Sequence, residues 1–202
     1  MARLRSPSNL FRAFLVLILP MALAACGINS VPTAEENAKA KWGEVQNQYQ
    51  RRSDLIPNLV ATVKAAGAQE KAILVEVTQA RAAANTVKVS GDDLKDPAKV
   101  QQFAQVQGAL GLSLQRLQEA YPDLKSQGNY ATLMDQLEGT ENRISNARRD
   151  YNDAVQSYNV TIRTFPDAIG AKIFYGSKPM VPFQATTPNA ETAPKVDFGN
   201  GS

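Results

Sequence analysis

The sequence predicts an all-α protein, an antiparallel helical bundle of three long helices plus a short C-terminal helix. Three observations carry that prediction. A seven-residue apolar repeat runs without a slip from Trp42 to Val87. Two later stretches repeat bulky apolar residues at helical spacing, and no segment alternates polar and apolar residues as a half-buried strand would. The connections between the three stretches are short, which favours antiparallel neighbours.

The first helix is expected to open where Val31-Pro32 gives way to Thr33, with Glu36 three residues on, a capping-box spacing that satisfies two orphan amides. One position of its seam reads Trp42, Tyr49, Ile56, Val63, Glu70, Val77, Ala84, and its partner reads Val45, Arg52, Leu59, Ala66, Ile73, Ala80, Val87. Only Glu70 and Arg52 are polar, so the pattern reads as one helix reaching about Val87 with a narrow buried seam. Pro57 removes one backbone hydrogen bond and predicts a kink near 53–57. The polar, aperiodic run from Lys88 to Lys95 is a loop. Asp96-Pro97 opens the second helix, Asp as N-cap and Pro at the first helical position. Its buried face is Val100, Phe103, Val106, Leu110, Leu114, Leu117 and Tyr121. Tyr121-Pro122 closes that helix and Gly128-Asn129 leads into the third, whose heptad is Tyr130, Leu137, Ile144, Tyr151, Tyr158, Phe165. Pro166 stops it, and 167–175 forms a last short amphipathic helix. From Ser177 the prolines 179, 182, 188 and 194 punctuate a segment without period, expected to be disordered or draped over the surface.

The N-terminus has a different logic. Arg3, Arg5 and Arg12 precede an apolar run from Phe14 that resumes after Pro20 as Met21-Ala22-Leu23. That run is too short to span a bilayer core of roughly 30 Å at about 1.5 Å per residue, and reads as a signal peptide. It closes on Leu23-Ala24-Ala25-Cys26, which has the form of a bacterial lipobox. The resemblance implies lipid attachment at Cys26 and removal of 1–25, and Gly27 in place of Asp implies outer-membrane residence facing the periplasm. The organisation expected is therefore signal peptide 1–25, lipid-anchored linker 26–32, helical-bundle domain 33–176 and Pro-rich tail 177–202.

Composition excludes several chemistries. Of 22 basic and 19 acidic residues, Arg3, Arg5 and Arg12 lie in the signal, leaving 19 of each sign in the mature chain. The basic pI of about 9.0 thus gives no argument for nucleic acid as a partner. Histidine is absent and Cys26 is the single cysteine, so neither a Ser-His-Asp or Cys-His triad nor a Cys/His metal site can form. No catalytic residue, metal or cofactor is expected. Carboxylates are the remaining candidates: Asp54, Glu70, Asp92 with Asp93, and Glu141. Asp92-Asp93 sits in the loop beside Lys88 and Lys95 and reads as two ordinary solvated acids, and nothing proposes a cleft with two carboxyls in different environments.

The segment Tyr49-Gln50-Arg51-Arg52-Ser53-Asp54-Leu55-Ile56-Pro57-Asn58-Leu59-Val60 closely resembles the signature of the LemA family. Two further blocks match in the family's order. One is Glu119-Ala120-Tyr121-Pro122-Asp123-Leu124-Lys125. The other runs from Leu137 through Glu141 and Ala147-Arg148-Arg149-Asp150-Tyr151-Asn152 to Tyr158-Asn159 and Phe165-Pro166. The resemblance implies an antiparallel helical bundle, an envelope protein held to a membrane by its N-terminus, and no catalytic residues. Many family members keep a membrane helix where this chain has the lipobox, and the Pro-rich tail falls outside the motifs.

Glu70 in the seam calls for a cation. With the first and third helices parallel, Glu70 falls level with Arg148, and an internal Glu70–Arg148 ion pair that fixes register is expected. The leading functional reading is a lipid-anchored envelope scaffold or adaptor for another envelope protein. The alternative is a periplasmic module that captures a glycan, peptide or lipid in an interhelical groove, the heptad tyrosines lining it. A carboxylate-dependent hydrolase of envelope polymers ranks third.

Overall fold

The computed structural model describes residues 7–67, 70–126 and 128–184, with side chains from residue 29 onward except at 125–126. Helix α1 runs Pro7–Ala65, α2 Lys71–Thr86, α3 Pro97–Ala120, α4 Gly128–Thr161, and α5 Asp167–Gly170, which continues as a π-helical turn over Ala171–Tyr175. Single turns of 3₁₀ helix occupy Asp92–Lys95 and Pro122–Ser126. The described residues are helical or irregular, without strands. Among them, no helix is long and apolar enough to cross a membrane. Two compact units emerge, one from Met1–Val45 with Asn146–Pro182, the other from Gln46–Ser145 with Phe183–Ser202. Both α1 and α4 contribute to each.

The second unit is a four-helix, up-down-up-down arrangement rather than the expected three. The first helix does not reach Val87. It stops at Ala65, Gly67 adopts φ +83°, and the Gly67 amide bonds back to the Lys64 carbonyl. This is the helix stop that glycine allows just beyond a last turn carrying Lys64. α2 then returns antiparallel: Gln46 Nε2 donates to the Val89 carbonyl and Ser53 Oγ to Asn85 Oδ1. α3 runs antiparallel to α2, with Arg116 on Glu76 and Gln107 near Ala84. α4 runs antiparallel to α1, with Glu141 on Arg52, and Gly128-Asn129 facing the same cleft as Thr62 and Ala65. The expectation of parallel first and third long helices is thereby corrected. The apolar repeat persisted across the break because both segments bury their stripe in one core: Ile56, Leu59 and Val63 from α1, Leu74, Val77 and Ala84 from α2. Leu110, Leu114 and Leu117 of α3 and Tyr130 and Leu137 of α4 complete it.

In the first unit, Val31, Ala38, Trp42 and Val45 of α1 are buried, as are Tyr151, Ala154, Val155 and Tyr158 of α4. The Trp42 and Tyr151 ring centroids lie 5.1 Å apart, packing α4 against α1 in this unit. Thr33 does not start the helix. It lies within α1, and its hydroxyl bonds back to the Asn29 carbonyl at 2.7 Å. At α3 the start is where the sequence put it: Asp96 caps the helix by accepting from the Ala98 amide at 2.9 Å. The heptad of α4 holds through Tyr158 and then fails, since Phe165 is 83% exposed.

Of the two forms expected for the tail, its first residues take the draped one. Positions 176–184 run as an extended segment with Met180 and Phe183 buried. In the first unit Asn159 clamps the main chain of Met180 in both directions at 2.9 Å. Tyr151 and Tyr158 donate to the carbonyls of Val181 and Lys178. In the second unit Phe183 packs on Tyr49 and Phe103, with centroids 6.3 and 6.4 Å away. Residues 1–6, the side chains of 7–28 and positions 185–202, which include the expected signal peptide and the end of the tail, lie outside the described residues.

Candidate functional site

Arg52 organises the polar centre of the second unit. It sits on the seam of α1, one heptad after Val45 and one before Leu59, so its side chain is carried into the core and is only 3% exposed. A guanidinium there must find partners for its donors. Nη1 donates to Glu141 Oε1 of α4 at 2.8 Å. Nη2 donates to both the backbone carbonyl and the Oε1 of Gln107 on α3, at 2.9 and 2.8 Å. The carbon of the guanidinium lies 4.9 Å from the centroid of the Tyr49 ring, in cation–π range. Nε has no partner among the described residues. Gln107 reaches on to the Ala84 carbonyl of α2 at 3.4 Å, so one buried arginine links all four helices.

The neighbouring motif residues are spent in the same way. Pro57 has no amide to offer the Ser53 carbonyl four residues back, and Arg81 Nε of α2 donates to that oxygen at 2.8 Å. α1 continues through Pro57, which does not stop the helix, as the unbroken phase of the repeat implied. The Tyr121 hydroxyl bridges the amide and carbonyl of Glu70 at 3.2 and 3.3 Å, tying the α1–α2 connection to the end of α3.

The singled-out carboxylates do not form a catalytic set. Asp54 is exposed and accepts from Gln50 at 2.7 Å. Asp93 is not the ordinary solvated acid expected. A hydrogen bond from the Lys99 ammonium, and then those from the Ser90 hydroxyl and amide, hold its carboxyl well below the usual carboxylate range and staple the loop before α3. Glu141 is half exposed and committed to Arg52. Glu70 is exposed at the N-cap of α2, outside any seam, so the burial that called for a partner at Arg148 is absent. Arg148 is half-buried on α4. Of the two polar residues in the seam, the buried one is Arg52, and its partners come from α3 and α4. The side chain of Cys26, on α1, lies outside the described residues. Among the described residues, no group of three or more Cys, Asp or Glu could hold a metal ion.

Beside Arg52 lies a pocket of about 180 Å3 bordered by Gln46, Tyr49, Asn85, Phe103 and Gln107. That is below the roughly 300–1,000 Å3 typical of ligand sites. A larger cleft of about 570 Å3, between the end of α1 and the start of α2, is lined by Lys64, Lys71, Leu74, Val75, Thr78 and Gln79. Sequence reasoning did not foresee that cleft, because it exists only where the first helix breaks.

Two magnetosome proteins of Paramagnetospirillum magneticum, MamQ 1 and MamQ 2, are each 29% identical to this chain over 157 residues, covering 68% of it. The magnetosome protein MamQ of Magnetospirillum gryphiswaldense is 28% identical over 183 residues, covering 80% of this chain and 67% of that protein. The chain spans 58% of the length of the first two relatives. The LemA family model matches residues 41–198, a span that takes in the Arg52 network, the Tyr121 bridge and the Tyr151–Asn159 clamp. This chain belongs to the LemA family.

Proposed function

We propose that this protein is a bacterial envelope lipoprotein, anchored through Cys26 and acting as a non-catalytic helical scaffold or adaptor for another envelope protein. One observation carries the non-catalytic part. The polar groups of the motif residues Arg52, Tyr121, Glu141, Tyr151, Tyr158 and Asn159 make bonds that hold helices or chain segments together. General acid–base chemistry needs paired groups of different protonation tendency facing one cleft, and these residues are committed elsewhere. The anchor rests on Leu23-Ala24-Ala25-Cys26 after a basic and apolar leader. Gly27, rather than Asp, after the cysteine supports outer-membrane residence in a diderm host, with the helical domain facing the periplasm. The relatives are named as magnetosome proteins, which supports a membrane-associated role. The test is labelling of cells with a palmitate analogue. Wild type takes the label and Cys26→Ala does not, whereas equal labelling of both defeats the anchor. Cross-linking in intact cells followed by mass spectrometry then names the partner.

A second reading is favoured by the cleft at the α1–α2 break. Lys64 and Lys71 beside Leu74 and Val75 suit an amphiphile with an anionic head and an apolar body. Native mass spectrometry of the full chain with an added long-chain fatty acid would show a bound species that Lys64→Gln with Lys71→Gln removes.

A further inference from the structure

Around the short C-terminal helix of the first unit, the bulky apolar side chains face out. Phe165, Ile173 and Phe174 are 83%, 70% and 67% exposed, with Ile169 and Tyr175 also exposed. Over the same stretch the residues turned inward are the small ones, Gly170 and Ala171. That inverts the order expected of a surface helix meeting only water, where bulky apolar residues face the core. An exposed cluster of large apolar side chains marks an interaction surface.

The position of this cluster says what covers it. Ser30 Oγ of α1 donates to Asp167 Oδ1, at the start of α5, at 2.6 Å. Ser30 follows Cys26 by four residues of the same helix, about 6 Å along its axis. The apolar face is therefore fixed about one helical turn from the acylation site. Its charges fit a lipid surface as well. Arg163, Lys172 and Lys178 flank it, and the single acid between residues 160 and 184 is Asp167, already engaged by Ser30. Aromatic and branched apolar side chains beside basic residues make up the face that interfacial segments present to lipid.

We propose that this face is a second membrane contact, in which Phe165, Ile169, Ile173 and Phe174 enter the boundary of the lipid surface to which Cys26 is tethered. The proposal rests on the anchor reading for its choice of occupant, since an acyl tether at residue 26 holds whatever is fixed beside residue 30 against the bilayer. A tether alone leaves the domain free to rotate; a tether and a neighbouring apolar face fix its orientation.

The test uses the full chain, purified from membranes and reconstituted in vesicles of phosphatidylethanolamine and phosphatidylglycerol. Phe174→Cys is labelled with an environment-sensitive fluorophore, and Asp150→Cys serves as the control. Asp150 lies 3.9 Å from Lys41 in the same unit, fifteen residues and about 22 Å along α1 from Cys26. The expected result is blue-shifted emission and loss of intensity with nitroxide lipids at 174, and neither at 150. A label at 174 as wet as that at 150 overturns the proposal. So does shielding at 174 without lipid quenching, which would make the face a protein interface. An unacylated Cys26 would take the label itself, so failure of the anchor is read separately from failure of this contact. Both substituted positions are exposed, and circular dichroism confirms the helical fold of each variant.

Discussion

Arg81 donates from Nε to the carbonyl oxygen of Ser53 at 2.8 Å, and that oxygen is the one Pro57 leaves without a helical donor. A proline within a helix thus becomes a docking point for the neighbouring helix. The Ser53 side chain adds a second tie, to Asn85 at 3.0 Å. Arg81→Met should cost about 1–2 kcal/mol in urea unfolding, the range for a partly exposed charged hydrogen bond. In a Pro57→Ala background the restored amide serves the same carbonyl, and the cost of Arg81→Met should fall below about 0.5 kcal/mol. Equal costs in both backgrounds would refute the link.

The pair Arg52–Glu141 is asymmetric, since the arginine is buried and the glutamate is half exposed. Arg52→Met should destabilise by about 1–3 kcal/mol, because it leaves the Gln107 side-chain oxygen buried without its donor. Glu141→Gln should cost less than about 1 kcal/mol, as for a solvent-screened pair. Thermal unfolding of the two variants separates these outcomes.

Tyr130 is fully buried at the start of α4, and its hydroxyl has no partner among the described residues. Burial raises its pKa above the ordinary value. Tyr130→Phe keeps the ring in the core and removes the unpaired hydroxyl, so it should stabilise by about 1 kcal/mol in chemical denaturation.

Burial pushes the Tyr151 phenol well above its ordinary pKa of 10.0. Below that value both folded and unfolded chains keep the proton and the contribution is complete. As pH rises past 10, the unfolded chain loses the proton while the folded chain holds it, so stability falls. Denaturation midpoints should drop more steeply above pH 10 in wild type than in Tyr151→Phe. Parallel curves would refute the assignment.

Phe183 is buried against Tyr49 and Phe103. Phe183→Ala should therefore cost about 3–5 kcal/mol, as for a core aromatic. A free tail would make the same substitution silent.

Part of this was legible in sequence because burial follows helical periodicity. Trp42, Tyr49, Ile56, Val63, Val77 and Ala84 are all buried, as the repeat required, and the Asp96 cap sits at the expected residue. The residue types present also determined which chemistries were closed, since a chain without histidine has no imidazole to place. Gly67 after Lys64 was a visible stop signal, outweighed by a repeat that stayed in phase across it. Phase reports which residues face a core; it does not report whether one helix or two deliver them. Only the tertiary structure decided that α2 folds back, which leaves Glu70 exposed at a helix end. It also decided that α4 runs against α1, bringing Glu141 to Arg52 across 89 residues of chain. The extended run 178–183 carries no periodic signal, because its order comes from Tyr151, Tyr158 and Asn159 reading its main chain and from Phe183 finding an aromatic seat. The pattern of one segment encodes its own buried face, while the partner that buries it is a property of the whole chain.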